Sequence, residues 1–122
     1  MIFFGIGTDI VEVERIEKSI NRTEKFLEKV FTQREVDYCN SKPNRYERYA
    51  GRFCAKEAVS KALGTGVRNF KLTDMEILND ELGKPIIYFN GQLGNLEKEY
   101  EIHLSISHCK DYATATAIIF KK

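Results

Sequence analysis

Hydrophobic and polar positions follow two rhythms along the chain, and each rhythm predicts a different kind of element. The chain opens on a short apolar stretch, Ile2 to Ile6, broken by Gly5 and Gly7, whose aromatic and β-branched residues predict a strand. A charged stretch follows with Val13, Ile16, Ile20 and Leu27 at spacings near 3 and 4, the rhythm of a helix, and Asn21-Arg22-Thr23 breaks or caps it. Thr32 and Glu35 form the pattern of a capping box, so a new helix starts there. The longest helical signal runs from Arg45 to Leu63 through Tyr46, Tyr49, Ala50, Phe53, Cys54, Ala58 and Ala62. Gly64 stands where a C-terminal cap favours glycine.

The second half turns to the two-residue rhythm. Met75 to Leu78 and Pro85 to Phe89, separated by a polar loop, predict a hairpin. A short helix is expected from Gln92 to Tyr100, then two closing strands, His103 to Ser107 and Thr114 to Phe120. Ile102, Leu104 and Ile106 alternate there with His103, Ser105 and Ser107, as in a half-buried strand. Mixed helices and hairpin-connected strands predict an α+β domain with a largely antiparallel sheet packed with helices.

Composition narrows the function classes. The 122 residues suit one domain over 1–122, and a 43% hydrophobic share argues against disorder. No apolar run approaches the roughly 18 residues of a membrane span. The first residues reach acids too early for a signal peptide and lack a basic start. Cys39, Cys54 and Cys109 are an odd number without a CxxC pair, which disfavours a disulfide scaffold or zinc module and favours a reducing, cytoplasmic setting. A net charge of +1 gives no general electrostatic case for nucleic-acid binding.

Several side chains are candidates for chemistry. At 100° per residue, Glu57 and Lys61 extend the stripe of Tyr46, Ala50 and Phe53, while the apolar side moves round to Ala55, Ala58, Val59 and Ala62. They are either an exposed i,i+4 pair worth a few tenths of a kcal/mol or a carboxylate and an amine aimed at one ligand. Asp9, expected just after the opening strand, is either the cap of the next helix or a metal ligand. Two acids from separate segments suit Mg²⁺, which fills its octahedron with substrate phosphates and water. The segment from Lys42 to Lys61 holds six bases (Lys42, Arg45, Arg48, Arg52, Lys56, Lys61) against two acids (Glu47, Glu57). That excess is a solvated helix face or a cradle for a phosphorylated small molecule. Gly64-Thr65-Gly66 follows a helix and is no P-loop, because a helix C-terminus repels anions. His108 is a structural residue at a strand end or a phosphate donor assisted by Ser107. Arg15, Lys18, Arg22 and Lys25 make a basic stripe if the first helix is continuous, either an ordinary surface or a docking face for an acidic protein.

Taken together, these segments resemble the short bacterial holo-[acyl-carrier-protein] synthases, within the 4′-phosphopantetheinyl transferase superfamily. The matching residues run from Gly5-Ile6-Gly7-Thr8-Asp9-Ile10-Val11-Glu12 and Arg15-Ile16 through the block Arg52 to Gly66, with Lys56-Glu57-Ala58 at its centre. Leu104-Ser105-Ile106-Ser107-His108 and Tyr112-Ala113 close the pattern. The resemblance spans the chain end to end, and the central block is its most specific part. Cys54 departs from the small alanine common in that block, and Pro43-Asn44 from a more basic loop. Phe53 stands where the larger transferases have tryptophan, as befits the short type.

The resemblance implies an enzyme that moves phosphopantetheine from coenzyme A to a serine of apo acyl carrier protein in fatty acid biosynthesis, releasing adenosine 3′,5′-bisphosphate. It implies Mg²⁺ held by Asp9 and Glu57, catalysis by Glu57, Lys61 and Asp9, and a homotrimer with sites between subunits. Arg52, Lys56, Lys61, Gly64, Gly66, Ser107 and His108 would form the coenzyme pocket, and Arg15 and Arg22 would receive the acidic carrier protein. The serine proton would go to Glu57 or to a metal-polarised water. Two rivals keep the same residues: a metal-dependent phosphohydrolase acting on a nucleotide, and a non-catalytic coenzyme or carrier-protein binding module.

Overall fold

The computed structural model describes residues 1–64 and 69–122. Strand β1 (Ile2–Glu12) pairs antiparallel with the last strand, β5 (Tyr112–Lys121), from Ile2 opposite Lys121 to Glu12 opposite Tyr112. Strand β4 (Tyr100–His108) pairs with the other side of β5, so the sheet order is β1-β5-β4. The opening strand thus runs on past Ile6 to Glu12, and Asp9 stands within it, opposite Ala115. Asp9 caps nothing: the N-cap of helix α1 (Val13–Arg22) is Glu12.

Gly5 and Gly7 do not break β1; they admit a helix against it. A Cβ on Gly5 would lie 2.1 Å from the Ala62 carbonyl oxygen, and one on Gly7 would lie 2.0 Å from that of Ala58. Helix α4 (Arg45–Leu63) therefore rests with its backbone on the strand, over the bounds its sequence rhythm predicts. The rest of the contact is built from small side chains: Ala55, Ala58 and Val59 on α4 and Ala113, Ala115 and Ala117 on β5 are all buried. Close approach over that length replaces bulk as the source of dispersion and burial energy.

Thr23 separates α1 from α2 (Glu24–Val30), its hydroxyl accepting from the Lys25 amide. That break removes Lys25 from the basic stripe, which is confined to α1. Helix α3 (Gln33–Asn40) begins with the predicted capping box, both reciprocal bonds being present between Thr32 and Glu35. Strands β2 (Met75–Asn79) and β3 (Pro85–Phe89) form the expected hairpin as a separate two-stranded sheet. The helix expected over Gln92 to Tyr100 is shorter: a 3-10 turn at Gly91–Leu93 and one helical turn, α5 (Leu96–Glu99). Tyr100 instead opens β4 because it finds a ladder partner in Lys121. Both sheets are antiparallel and helices pack beside them, so the α+β expectation holds.

Candidate active site

The register of β1 against α4 creates the candidate site. Asp9 is on the helix-facing side of β1, and Glu57 is on the flank of α4 nearest it. Both line one cavity of about 330 Å³, whose other walls include Arg15, Ile16, Phe26 and Phe53. Two acids that are 48 positions apart in sequence, by their numbers, thus share one space. Lys61, one turn beyond Glu57, donates to Asp9 Oδ1 at 3.1 Å and to the Thr8 carbonyl at 3.0 Å. The Asp9 backbone is fixed in turn, its carbonyl accepting from Thr114 Oγ1 at 2.8 Å.

Electrostatics differ across the pair. Glu57 has its carboxyl raised above the usual carboxylate range, first by burial and second by the charge of Asp9, with Lys61 opposing. The two acids therefore repel within a partly dehydrated space, the condition that a divalent cation relieves. No group of three or more metal-ligating side chains exists among the described residues. Two carboxylates beside an open cavity fit Mg²⁺, a cation that keeps places for water and substrate oxygens, better than a closed structural site. Cys54 lies beneath them, its thiol donating to the Ala113 carbonyl at 3.3 Å. Burial pushes that thiol up to about 12, with Asp9 adding to the effect, so Cys54 is an inert packing residue.

A second cavity, of about 100 Å³, opens between the first half of α4, the end of β4 and the β2–β3 hairpin. Arg52, only 3% exposed, lines it. Its guanidinium donates to Asn79 and lies over the Tyr38 ring, 4.2 Å from the centroid, while Nε has no partner among the described residues. Arg48 lines the same space and is held by Asn44 Oδ1 at 3.2 Å. His108 closes it from β4, its Nδ1 2.8 Å from Glu47 Oε1. His108 and Ser107 also line a shallower apolar hollow with Ile10 and Tyr112. Ile10 borders that hollow and the Asp9–Glu57 cavity alike, so the two are neighbours.

A model of the 4′-phosphopantetheinyl transferase superfamily matches residues 5–117. The chain belongs to that superfamily. It is 53% identical to the holo-[acyl-carrier-protein] synthase of Fusobacterium nucleatum subsp. nucleatum, over 97% of this chain and 99% of that protein. Among solved structures it is similar to a holo-(acyl-carrier-protein) synthase from Bacillus anthracis in complex with CoA (3′,5′-ADP). The identity is 38%, with 100% of this chain and 99% of that chain covered and a TM-score of 0.81. The Neisseria meningitidis synthase gives 30% identity, 98% and 100% coverage and a TM-score of 0.87. Within this superfamily, then, the chain belongs with the holo-[acyl-carrier-protein] synthases, as its motifs implied.

The expected site residues divide into those the fold brings together and those it does not. Asp9, Glu57, Lys61 and Arg15 converge, and Arg52 and His108 share the second cavity. Ser107 lines the apolar hollow beside His108. Gly64, at φ +70°, ends α4 with nothing among the described residues within 4 Å of where a Cβ would lie, and Gly66 lies outside the described residues. Arg22 is exposed two turns beyond Arg15 on α1. Lys56 is a correction. It is fully buried, its ammonium donating to Glu35 Oε1 at 2.6 Å and to the Val30 carbonyl, so it offers nothing to a ligand. Lys56 is on the flank of α4 that the connection from α2 to α3 covers through Val30 and Glu35, whereas Glu57 is on the flank that faces the cavity. Sequence reasoning missed Asn79, Glu47 and the hairpin turn at Gly83 and Pro85 as cavity walls. No local signal marks them, because they reach the cavity only through tertiary packing.

Proposed function

We infer that this chain transfers the 4′-phosphopantetheine group of coenzyme A to a serine of apo acyl carrier protein, releasing adenosine 3′,5′-bisphosphate. The observation that carries the reading is the convergence of Asp9 and Glu57 on one cavity, with Lys61 bound to Asp9 at its edge. Asp9 and Glu57 are the residues that would hold Mg²⁺. When bound, the ion supplies charge neutralisation to the pyrophosphate of coenzyme A.

The other steps belong to the chain itself. Lys61, more than half exposed, is free at its outer side to donate to a phosphoryl oxygen. Phosphoryl transfer is mainly positioning and electrostatic stabilisation, so a carboxylate pair and one amine suffice without a nucleophilic triad. One carboxylate oxygen of Glu57 is enough for a cation, which leaves the other to accept the serine proton. Ile16, Phe26 and Phe53 form the apolar wall of the cavity in which that proton transfer would occur. Arg48, Arg52 and His108 supply donors for the nucleotide end of coenzyme A. Arg15 and Arg22 present unpaired guanidinium groups, among the described residues, to the acidic carrier protein.

The enzyme is further read as a cytoplasmic single domain that works as a homotrimer. The outer face of the β1-β5-β4 sheet supports that assembly: Phe3, Ile6 and Ile10 are 57%, 60% and 67% exposed there. An apolar face of that kind requires a cover, and two further copies of the chain supply one. The free cysteines fit a reducing compartment.

The test incubates the protein with coenzyme A, Mg²⁺ and apo carrier protein, and weighs the carrier by mass spectrometry. A gain of about 340 Da, the phosphopantetheine arm, is expected. Coenzyme A hydrolysed with the carrier unchanged identifies a phosphohydrolase, and binding without turnover identifies a binding module.

A further inference from the structure

Gly51 allows α4 to meet β4 closely: a Cβ there would lie 2.9 Å from Cγ2 of Ile106. One helical turn before Gly51 stands Glu47, and two residues after Ile106, on the same face of the strand, stands His108. A turn of helix and two residues of strand advance by similar lengths, about 5.4 and 6.8 Å. The close crossing at Gly51 therefore sets Glu47 against His108, at 2.8 Å between Oε1 and Nδ1.

The pair differs from an incidental surface contact. Its side chains are about three-quarters buried, at 23% and 24% exposure. It lines the same cavity as Arg48 and Arg52, and Glu47 is the sole carboxylate among the described residues of that lining. A lone carboxylate in an anion cavity would repel the anion unless it were engaged elsewhere. A carboxylate only accepts hydrogen bonds, so the contact places a proton on Nδ1 and leaves Nε2 for the ligand.

We propose that Glu47 is a positioning residue, which holds His108 through Nδ1 so that Nε2 meets the anionic nucleotide end of coenzyme A. This deepens the proposed function and rests on its assignment of the Arg52–His108 cavity to the coenzyme.

The test measures coenzyme A turnover and calorimetric binding of adenosine 3′,5′-bisphosphate for E47A, E47Q, H108A and the E47A/H108A double variant. E47A is expected to raise KM and Kd about tenfold while kcat stays within about twofold. E47Q, whose amide oxygen still accepts from Nδ1, recovers most of that loss. The double variant is expected to be no worse than H108A alone. In ¹⁵N imidazole spectra, H108A assigns the two histidines by subtraction, and E47A loses the Nδ1-protonated pattern of His108. A normal KM in E47A, while H108A raises KM, overturns the proposal and leaves the coenzyme assignment standing. Losses that simply multiply in the double variant overturn it too. A normal KM in H108A overturns the proposal together with the coenzyme assignment. Should E47A not fold, the wild-type spectrum decides: no proton on Nδ1 of His108 refutes the contact.

Discussion

Gly7 and Ala58 are in backbone contact, since any Cβ on Gly7 would sit 2.0 Å from the Ala58 carbonyl oxygen. That crossing sets the site. Asp9 is two residues along β1 from Gly7, and Glu57 is adjacent to Ala58, so the closeness of strand and helix decides whether the two acids share a cavity. The obstacle to a side chain here is backbone on both sides, which cannot swing away. Gly7→Ala is expected to cost about 2–3 kcal/mol by forcing the helix outward, as overpacked core sites do. Urea denaturation measures that loss, and transferase activity should fall with it at temperatures where the variant remains folded. An unchanged midpoint and unchanged activity would show that α4 does not rest on β1.

Glu57 carries a charge that its surroundings disfavour. Its carboxyl is raised above the ordinary 4.5, because burial first and Asp9 second disfavour its charge. The folded chain then holds this proton more tightly than the unfolded chain. Stability therefore falls as pH rises from the unfolded carboxylate's range through the folded one, and the deficit is complete above both. Glu57→Gln removes the charge, so the metal-free variant should melt higher than the wild type at pH 7 and equal it near pH 3. Solvent screening of a group this exposed keeps the gain under about 1 kcal/mol. The same variant should lose turnover, and Mg²⁺ should raise the melting temperature of the wild type but not of Glu57→Gln. Equal melting of the two proteins at pH 7 would show that the Glu57 charge costs the fold nothing.

Much of this was legible beforehand, for physical reasons that differ by element. Helix α4 was readable at both ends because nineteen residues of 3.6-residue rhythm close on a glycine that must adopt φ +70°. The Thr32–Glu35 box was readable because capping is a local exchange of hydrogen bonds. In sequence Gly5 and Gly7 look like punctuation that ends the strand at Ile6, whereas in the fold their role is to receive a helix. Lys56 is hidden from sequence for a similar reason. A lysine among basic neighbours looks solvated until its long-range partner, Glu35, is known. The convergence of Asp9 and Glu57 is suggested by the motif residues alone, and the register of β1 on α4 supplies the cavity.

The buried pair gives a sharper contrast with the site residues. Glu35 accepts from Lys56 Nζ at 2.6 Å, from the Thr32 amide at 2.8 Å and from the Ile77 amide at 2.8 Å, with both side chains fully buried. Three elements, α3, α4 and β2, thus meet at one carboxylate. Burial pulls the Lys56 ammonium below its usual range, with Glu35 opposing, so the ion pair is held against desolvation. Lys56→Ala leaves the Glu35 charge without its counter-ion and is expected to cost about 3–5 kcal/mol. The loss should appear in the denaturation midpoint, and the fraction that remains folded should keep its KM for coenzyme A. A raised KM in a fully folded Lys56→Ala would return this lysine to the coenzyme pocket.

On the proposed function, Arg15 would join the two halves of the reaction. It lies on the exposed side of α1 and borders the cavity of Asp9 and Glu57, so a carrier protein docked on α1 would present its serine beside the acids. Lys18, a turn further along, is already paired with Glu14 at 3.1 Å, which leaves Arg15 and Arg22 as the cations of this face available to a partner among the described residues. Charge reversal, Arg15→Glu, should weaken acyl carrier protein binding about tenfold at low salt, because an attraction is replaced by a repulsion at close range. At 0.5 M salt the Debye length shrinks to about 4 Å, and the deficit should contract to about twofold. Measuring Kd for the apo carrier at both salt concentrations separates steering from packing. A deficit of the same size at both would mean that Arg15 acts through its hydrocarbon stem or through the cavity wall, and that α1 is not the carrier's electrostatic landing site.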